Sequence, residues 1–287
     1  MRILVTGKNS YIGKSFIEWM NQYGEDSIID TISLKDKDWK QKSFAAYDVI
    51  LHVAGIAHVN AKENMKDLYY KINRDLTIEV AKKAKNDGVK QFIFLSSIIV
   101  YGRESYKGTN GMITQDTVPL PDNFYGGSKL EAEQGILPLQ SANFNIAILR
   151  PPMIYGKNSK GNFPKLAKIA KITPVFPNYK NQRSMLFIEN LSEFILLIIN
   201  NNEKGVFFPQ NKEYTNTTQL IQYISDTQHK KIHGIKFLNP FIKVASTKIT
   251  LLNKVFGNLT YERSMSNYDN FSYCKLDLKN SIIKIEE

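Results

Sequence analysis

The sequence predicts an α/β fold in which a parallel sheet is wound with helices on both faces and followed by a smaller α/β lobe. Three observations carry that expectation. Short apolar runs alternate with stretches of helical spacing through the first 150 residues, the order that produces a parallel sheet. A glycine-bearing turn, Gly7-Lys-Asn-Ser-Tyr-Ile-Gly13, stands directly between the first apolar run and the first helical one. After Arg150 the alternation loosens into shorter elements, with no repeat and no low-complexity linker, so a second lobe packed on the first is expected.

The elements follow in order. Arg2 to Thr6 is a short apolar strand, and Tyr11 to Tyr23 has helical spacing through Ile12, Phe16 and Met20 before Gly24. Strands are expected near Ile28 to Leu34 and at Asp48 to Val53. Lys66 to Asn86 reads as a long helix closed by Gly88, and Gln91 to Ser96 as a continuous apolar strand. Asp122 is the expected cap of a helix carrying Tyr125 and Lys129, and Asn145 to Leu149 is a further buried strand. Beyond it, Gly156 to Lys160 reads as a polar loop, Pro164 to Lys171 as a helix, Met185 to Ile188 as a strand, Asn190 to Asn200 as a helix and Gly205 to Pro209 as a strand. An amphipathic stretch from Phe241 to Val255 suits a packing helix better than a membrane-surface one. The expected division is 1–156 plus about 184–210 for the first domain, and about 157–183 plus 211–287 for the second.

Composition narrows the classes. A chain of 287 residues with 43% hydrophobic content can bury a sizeable core. No run approaches the ~20 apolar residues of a membrane span, so no integral membrane segment is expected. The opening run, Met1 to Gly7, reads as a strand and not as a signal peptide. The single cysteine, Cys274, excludes an internal disulfide and fits a cytoplasmic protein. A net charge of +11 admits a nucleic acid, an anionic membrane face or an anionic small ligand. The basic residues look scattered rather than grouped with aromatics, so a compositional bias leads and no nucleic-acid partner is expected.

Two segments point to chemistry. Glycines at a strand-to-helix turn let the backbone approach a pyrophosphate, which the helix N-terminal amides and dipole then hold. Here Gly7 and Gly13 are in place, and Ser10 stands where the usual fingerprint has its middle glycine. Tyr125 and Lys129, at i and i+4, share a helix face, where an ammonium beside a phenol would favour phenolate and let the tyrosine trade a proton. No His/Cys/carboxylate group has metal-ligand spacing, so no metal is expected. His52 is read as a buried strand residue, and His229 and His233 as part of a basic surface.

Together, Thr6-Gly7-x-x-x-x-Ile12-Gly13, Ser96-Ser97-Ile-Ile-Val-Tyr101-Gly102, Tyr125-Gly-Gly-Ser-Lys129 and Arg150-Pro-Pro-Met-Ile-Tyr-Gly156 resemble, in order and spacing, the extended short-chain dehydrogenase/reductase family. They are most similar to its nucleotide-sugar epimerases and ketoreductases, with specific motifs in the first 190 residues. The resemblance implies a Rossmann-type domain with a substrate lobe and a catalytic trio of Ser97, Tyr125 and Lys129. Ser97 would bond the substrate oxygen, with Ser96 as the alternative, since strand alternation lets only one of them face the site. Tyr125 would be the acid/base, and Lys129 would bind nicotinamide ribose while lowering the tyrosine pKa.

By the same resemblance Gly7, Ser10, Tyr11, Ile12 and Gly13 cradle the cofactor, Ala54 and Gly55 pass under it, Asn73 supports the site, and Pro152 lies near the nicotinamide amide. Asn162 and Arg183 match positions that hold a substrate diphosphate; for Arg183 the alternative is a surface salt bridge. His58 either lies near the sugar or is structural. Relatives that dehydrate their sugar carry an Asp-Glu pair where this chain has Ile98 and Ile99, and isoleucine moves no proton. The implied reaction is therefore reduction of a 4-keto nucleotide sugar, of the UDP-4-keto-6-deoxy-N-acetylhexosamine type, for a bacterial surface polysaccharide. The alternatives are a 4-epimerase with tightly held NAD and a non-catalytic nucleotide-binding module. NADP is expected if Lys35 meets the 2′-phosphate, and NAD if Asp30 binds a ribose diol. The family habit of pairing through long helices implies a homodimer.

Overall fold

The computed structural model describes residues 1–24, 27–35, 37–57 and 63–287. His58 lies outside the described residues. The chain divides into two compact units, 1–105, 118–152 and 191–209 in the first and 106–117, 153–190 and 210–287 in the second.

In the first unit, β1 (Arg2–Thr6), β2 (Ile28–Ile32), β3 (Val49–His52), β4 (Gln91–Leu95), β6 (Asn145–Leu149) and β10 (Gly205–Phe207) form a parallel sheet in the order β10-β6-β4-β3-β1-β2. Strands buried on both faces make this possible. Leu4, Ile50, Phe92, Phe94, Ile146 and Ile148 join one core with Val80, Ala84, Ala132 and Ile136 of the helices Leu76–Asn86 and Phe124–Ile136. The alternating residues Ile3, Val5, Leu51, Ile93 and Ala147 are equally buried, as are Phe16, Trp19, Leu191 and Phe194 of two further helices. Trp19 Nε1 donates to Glu193 Oε2 at 3.0 Å.

The chain leaves β1 toward β2 on one side and returns to β3 on the other. Strand order therefore reverses between β1 and β3, the point at which open α/β sheets bind ligands beyond the carboxyl ends of their strands. The expected long helix is present, but its middle, Tyr70–Asp75, is π-helical and contains the fully buried Asn73. Such insertions are frequent at functional sites.

In the second unit, three parallel pairs are formed: β5 (Met112–Ile113) with β12 (Thr260–Tyr261), β7 (Met153–Tyr155) with β9 (Met185–Phe187), and β8 (Val175–Pro177) with β11 (His233–Ile235). The helices Asn162–Ile172, Thr217–Thr227 and Leu278–Glu286 bury Phe163, Leu166, Leu220, Ile221, Leu278 and Ile282. Tyr155, also buried, has its hydroxyl 2.7 Å from Ser281 Oγ and accepts from Asn211 Nδ2 at 2.9 Å. Three segments fall in this unit and not in the first: β5 ties 106–117 to it, and β7 with β9 ties 153–156 and 184–190 to it. The Phe241–Val255 stretch is two helices, Asn239–Lys248 and Thr250–Phe256, interrupted where Ile249 takes an extended backbone. Among the described residues no helix is long and apolar enough to cross a membrane.

Candidate active site

The helix bearing the tyrosine starts one residue later than its sequence suggests. Asn123, not Asp122, is the cap, its Oδ1 accepting from Gly126 N at 2.9 Å, while Asp122 Oδ1 accepts from Asn123 Nδ2 at 2.8 Å. Tyr125 therefore lies in the first turn. Gly126 lets that turn press on the strand end: a Cβ there would stand 2.4 Å from Ile99 O. The close approach sets Tyr125 beside Ser97, which ends the β4 segment in an extended backbone and accepts from Ile99 N at 3.3 Å.

Ser97 acts on the Tyr125 hydroxyl, drawing its pKa down against burial. Ser96 faces elsewhere, its hydroxyl donating to Glu133, which also holds Arg150 Nη2 at 2.5 Å and Nε at 3.1 Å. Arg150 Nη1 in turn donates to Tyr101 OH at 2.7 Å. This buried ionic cluster fixes the strand end under the site.

Lys129 behaves differently from expectation. Its stem follows the shared face, but Nζ donates to Leu95 O at 2.7 Å and lies 4.5 Å from the Phe94 ring centroid. Burial holds its pKa down at about 8, with Glu133 opposing. The Tyr125 pKa is not lowered. Burial pushes it up to about 12, and Ser97 works the other way. The correction has a simple cause: the ammonium satisfies a carbonyl, leaving desolvation as the main influence on the phenol.

Asn73 connects this group to the loop after β3. Its Oδ1 accepts from Ile56 N at 2.9 Å, and its Nδ2 donates to Ile56 O and Ser128 Oγ, both at 3.1 Å. Gly55 lies alongside, where an added Cβ would stand 3.0 Å from Asn73 Oδ1 and 3.4 Å from Lys129 Nζ. Behind Asn73 runs a chain that sequence reading missed. Thr77 Oγ1 donates to Asn73 O at 2.8 Å, so His52 Nε2, 3.0 Å away, must donate to Thr77, and His52 Nδ1 accepts from Thr6 Oγ1 at 2.8 Å. His52 is neutral: burial first, then the Lys129 charge, lowers its pKa to about 3. Its partners are 46 and 25 residues distant, so no local pattern marks them.

The turn after β1 fits a dinucleotide. Gly7 has φ +86°, and a Cβ there would meet the Ala54 backbone at 3.0 Å, so only glycine keeps the β1 and β3 ends this close. Ser10 caps the helix Tyr11–Tyr23 by accepting from Gly13 N at 2.9 Å, which sets Tyr11, Ile12 and Gly13 in its first turn, with their amides at the helix N-terminus. β2 ends at Ile32. Asp30 lies inside the strand, where its Oδ2 accepts from Arg2 Nη2 at 3.1 Å and Tyr47 OH at 3.0 Å. The first residue past the strand is Ser33, whose Oγ accepts from Lys35 N at 3.3 Å; both side chains are exposed. Pro152 is buried next to the β6 end.

In the second unit, Asn162 is half-buried at the first position of its helix. Arg183 is no surface ion pair. Nη1 donates to Gly257 O at 2.9 Å, while the buried Nε makes no hydrogen bond among the described residues. Burial lowers its pKa, with no carboxylate contributing.

The family described as NAD dependent epimerase/dehydratase matches residues 3–208. The chain is 28% identical over 229 residues to UDP-glucose 4-epimerase of Vibrio cholerae, covering 77% of this chain and 69% of that one. It is 27% identical over 231 residues to N-acetyl-alpha-D-glucosaminyl-diphospho-ditrans,octacis-undecaprenol 4-epimerase of Escherichia coli O157:H7, covering 78% and 68%. A solved structure of RMD from Pseudomonas aeruginosa complexed with NADPH superposes with a TM-score of 0.78 at 18% identity, over 100% of this chain and 98% of that one.

Proposed function

The chain belongs to the NAD dependent epimerase/dehydratase family, and we propose that within it the protein is an NADPH-dependent reductase of a 4-keto nucleotide sugar. The substrate is a UDP-linked 6-deoxy-N-acetylhexosulose, the enzyme works in the cytoplasm, and the product serves a bacterial surface polysaccharide. The observation that carries this reading is the first helical turn with Tyr125 pressed through Gly126 onto the strand end that bears Ser97, followed by Ile98 and Ile99, which offer no acid or base.

Gly7, Ser10, Tyr11, Ile12, Gly13, Ala54, Gly55 and Pro152 would hold the cofactor, with Lys129 on its ribose and Asn73 behind. The bound nicotinamide supplies the hydride. Tyr125 is protonated throughout the neutral range, because burial raises its pKa to about 12, and it gives its hydroxyl proton to the carbonyl oxygen. Ser97 donates a second hydrogen bond to that oxygen. NADPH is favoured because the β2 end presents Ser33 and Lys35, while Asp30 is engaged by Arg2 and Tyr47. Arg183, a buried guanidinium without a carboxylate, suits a substrate diphosphate, with Asn162 as a second contact.

The competing reading is a 4-epimerase with tightly held NAD, favoured by the two curated relatives at 28% and 27% identity. Purified protein separates the readings. Stoichiometric NADPH oxidation with the keto-sugar supports the reductase; co-purifying NAD and interconversion of sugars without added cofactor overturns it. Absence of both activities in the parent protein would overturn both readings and favour a binding module, and full activity in Tyr125→Phe would remove the tyrosine from the chemistry. The protein is proposed to be a homodimer, which light scattering tests.

A further inference from the structure

The basic residues are not scattered as composition first suggests. Residues 153–188 contain six lysines, one arginine and no acid, and residues 227–261 contain six lysines and no acid. The remainder of the chain has 25 Lys and Arg against 27 Asp and Glu, so the whole positive excess resides in these two stretches. Both belong to the second unit. They are joined there by the β8–β11 pairing, by Asn178 N donating to Ile235 O at 2.8 Å, and by Asn239 Nδ2 donating to Asn178 O at 2.9 Å.

The same region carries the most exposed aromatic side chains described. Phe237 and Phe241 are 75% and 79% exposed, and Val244 is 62% exposed. Phe241 and Val244 lie one turn apart on the Asn239–Lys248 helix, whose Ile242 and Ser246 are buried against the unit. Exposed lysines flank them at 236 and 243, with two more at 230 and 231. Ile172 is 71% exposed and follows Lys171, whose carbonyl accepts from Lys230 Nζ at 2.7 Å.

We propose that the Phe237–Val244 face of the second unit docks on an anionic lipid bilayer, its apolar side chains entering the acyl boundary and its lysines meeting the headgroups. A lysine-rich helix with phenylalanine on its free face is the arrangement that lies in a membrane interface. A second copy of the chain is the poorer occupant, because an isologous contact would bring one predominantly basic surface, whose acid Glu286 is already paired with Lys171, against another. A nucleic acid is also poorer, because Val244 and Ile172 offer no ring for a base to stack on. The inference does not depend on which reaction the first unit performs.

Vesicle co-sedimentation tests it, with phosphatidylglycerol/phosphatidylcholine vesicles against pure phosphatidylcholine. The intact chain is expected to bind the anionic vesicles alone, and more weakly as salt rises. The double variant Phe237→Ser/Phe241→Ser should lower partitioning on the order of 100-fold, and Lys236→Gln/Lys243→Gln on the order of tenfold. Both variants should keep the far-ultraviolet circular dichroism of the parent, since all four side chains are exposed. Three outcomes overturn the proposal: no binding to anionic vesicles at low ionic strength, equal binding by parent and variants, or equal binding to both vesicle types. So does a phenylalanine variant that dissociates a dimer, or loses oligonucleotide binding, in a protein that ignores vesicles.

Discussion

Replacing Lys129 by methionine should stabilise the free protein at neutral pH while abolishing its activity. The ammonium is 94% removed from solvent, and its folded pKa of about 8 lies below the ordinary 10.5. Between those two values the unfolded chain binds a proton that the folded chain does not, so stability rises with pH through the window. Below about pH 8 both states are charged and the folded state bears the whole penalty, ~3 kcal/mol for a shift of this size. Methionine removes that penalty but forfeits the hydrogen bond to Leu95 O and the contact with the Phe94 ring, each ~1 kcal/mol. The net effect near pH 7 is a gain of ~1 kcal/mol, reversing to a loss of ~2 kcal/mol above pH 10.5. Denaturant titrations of parent and variant at several pH values read the difference, in which other titrating groups cancel. A difference that stays constant from pH 7 to 10.5 would refute the reasoning, because it would mean that the buried amine has an ordinary pKa.

Other changes address separate parts of the account. Glu133→Gln leaves Arg150 buried without its carboxylate and should cost ~3–5 kcal/mol, visible as a lower melting temperature; an unchanged melt contradicts the ionic cluster. Ser33→Asp places a carboxylate at the first position past β2 and should shift the ratio of kcat/KM for NADPH over NADH toward NADH by at least ~tenfold, whereas an unaltered ratio would remove Ser33 from the cofactor site. Gly7→Ala forces a side chain onto a φ of +86° and into Ala54, so it should destabilise by ~1–3 kcal/mol and weaken NADPH binding in calorimetry. Binding at parental affinity would show that the turn is not the phosphate cradle.

The sheet was legible because it rests on local signals. Each of its strands is an apolar run, and the first helix has the bounds its spacing predicts, Tyr11–Tyr23. The Tyr125/Lys129 spacing gave the shared face but not the direction of the ammonium, which follows from Leu95 O, 34 residues away in sequence. Asp122 and Asn123 are adjacent cap formers, and spacing alone does not choose between them. The role of Asp30 depended on where β2 stops and on Arg2 and Tyr47, partners from two other segments. The Thr6–His52–Thr77–Asn73 chain and the π-helical turn that holds Asn73 were invisible for the same reason, because they are made by tertiary contacts. Domain bounds shifted where a two- or three-residue strand captured a segment, because the pairing partner, β12 for β5 and β7 for β9, is not marked in either run.

The most direct test follows the transferred hydride. NADPH deuterated at C4 of its nicotinamide, on the face that is transferred, is supplied with the UDP-linked 4-keto sugar, and the product is analysed by mass spectrometry. The account predicts a reduced sugar carrying one deuterium at C4 for each NADPH oxidised, and no product from a Tyr125→Phe variant that still binds NADPH. Unlabelled product formed without net NADPH oxidation, or parental turnover by the phenylalanine variant, would contradict it.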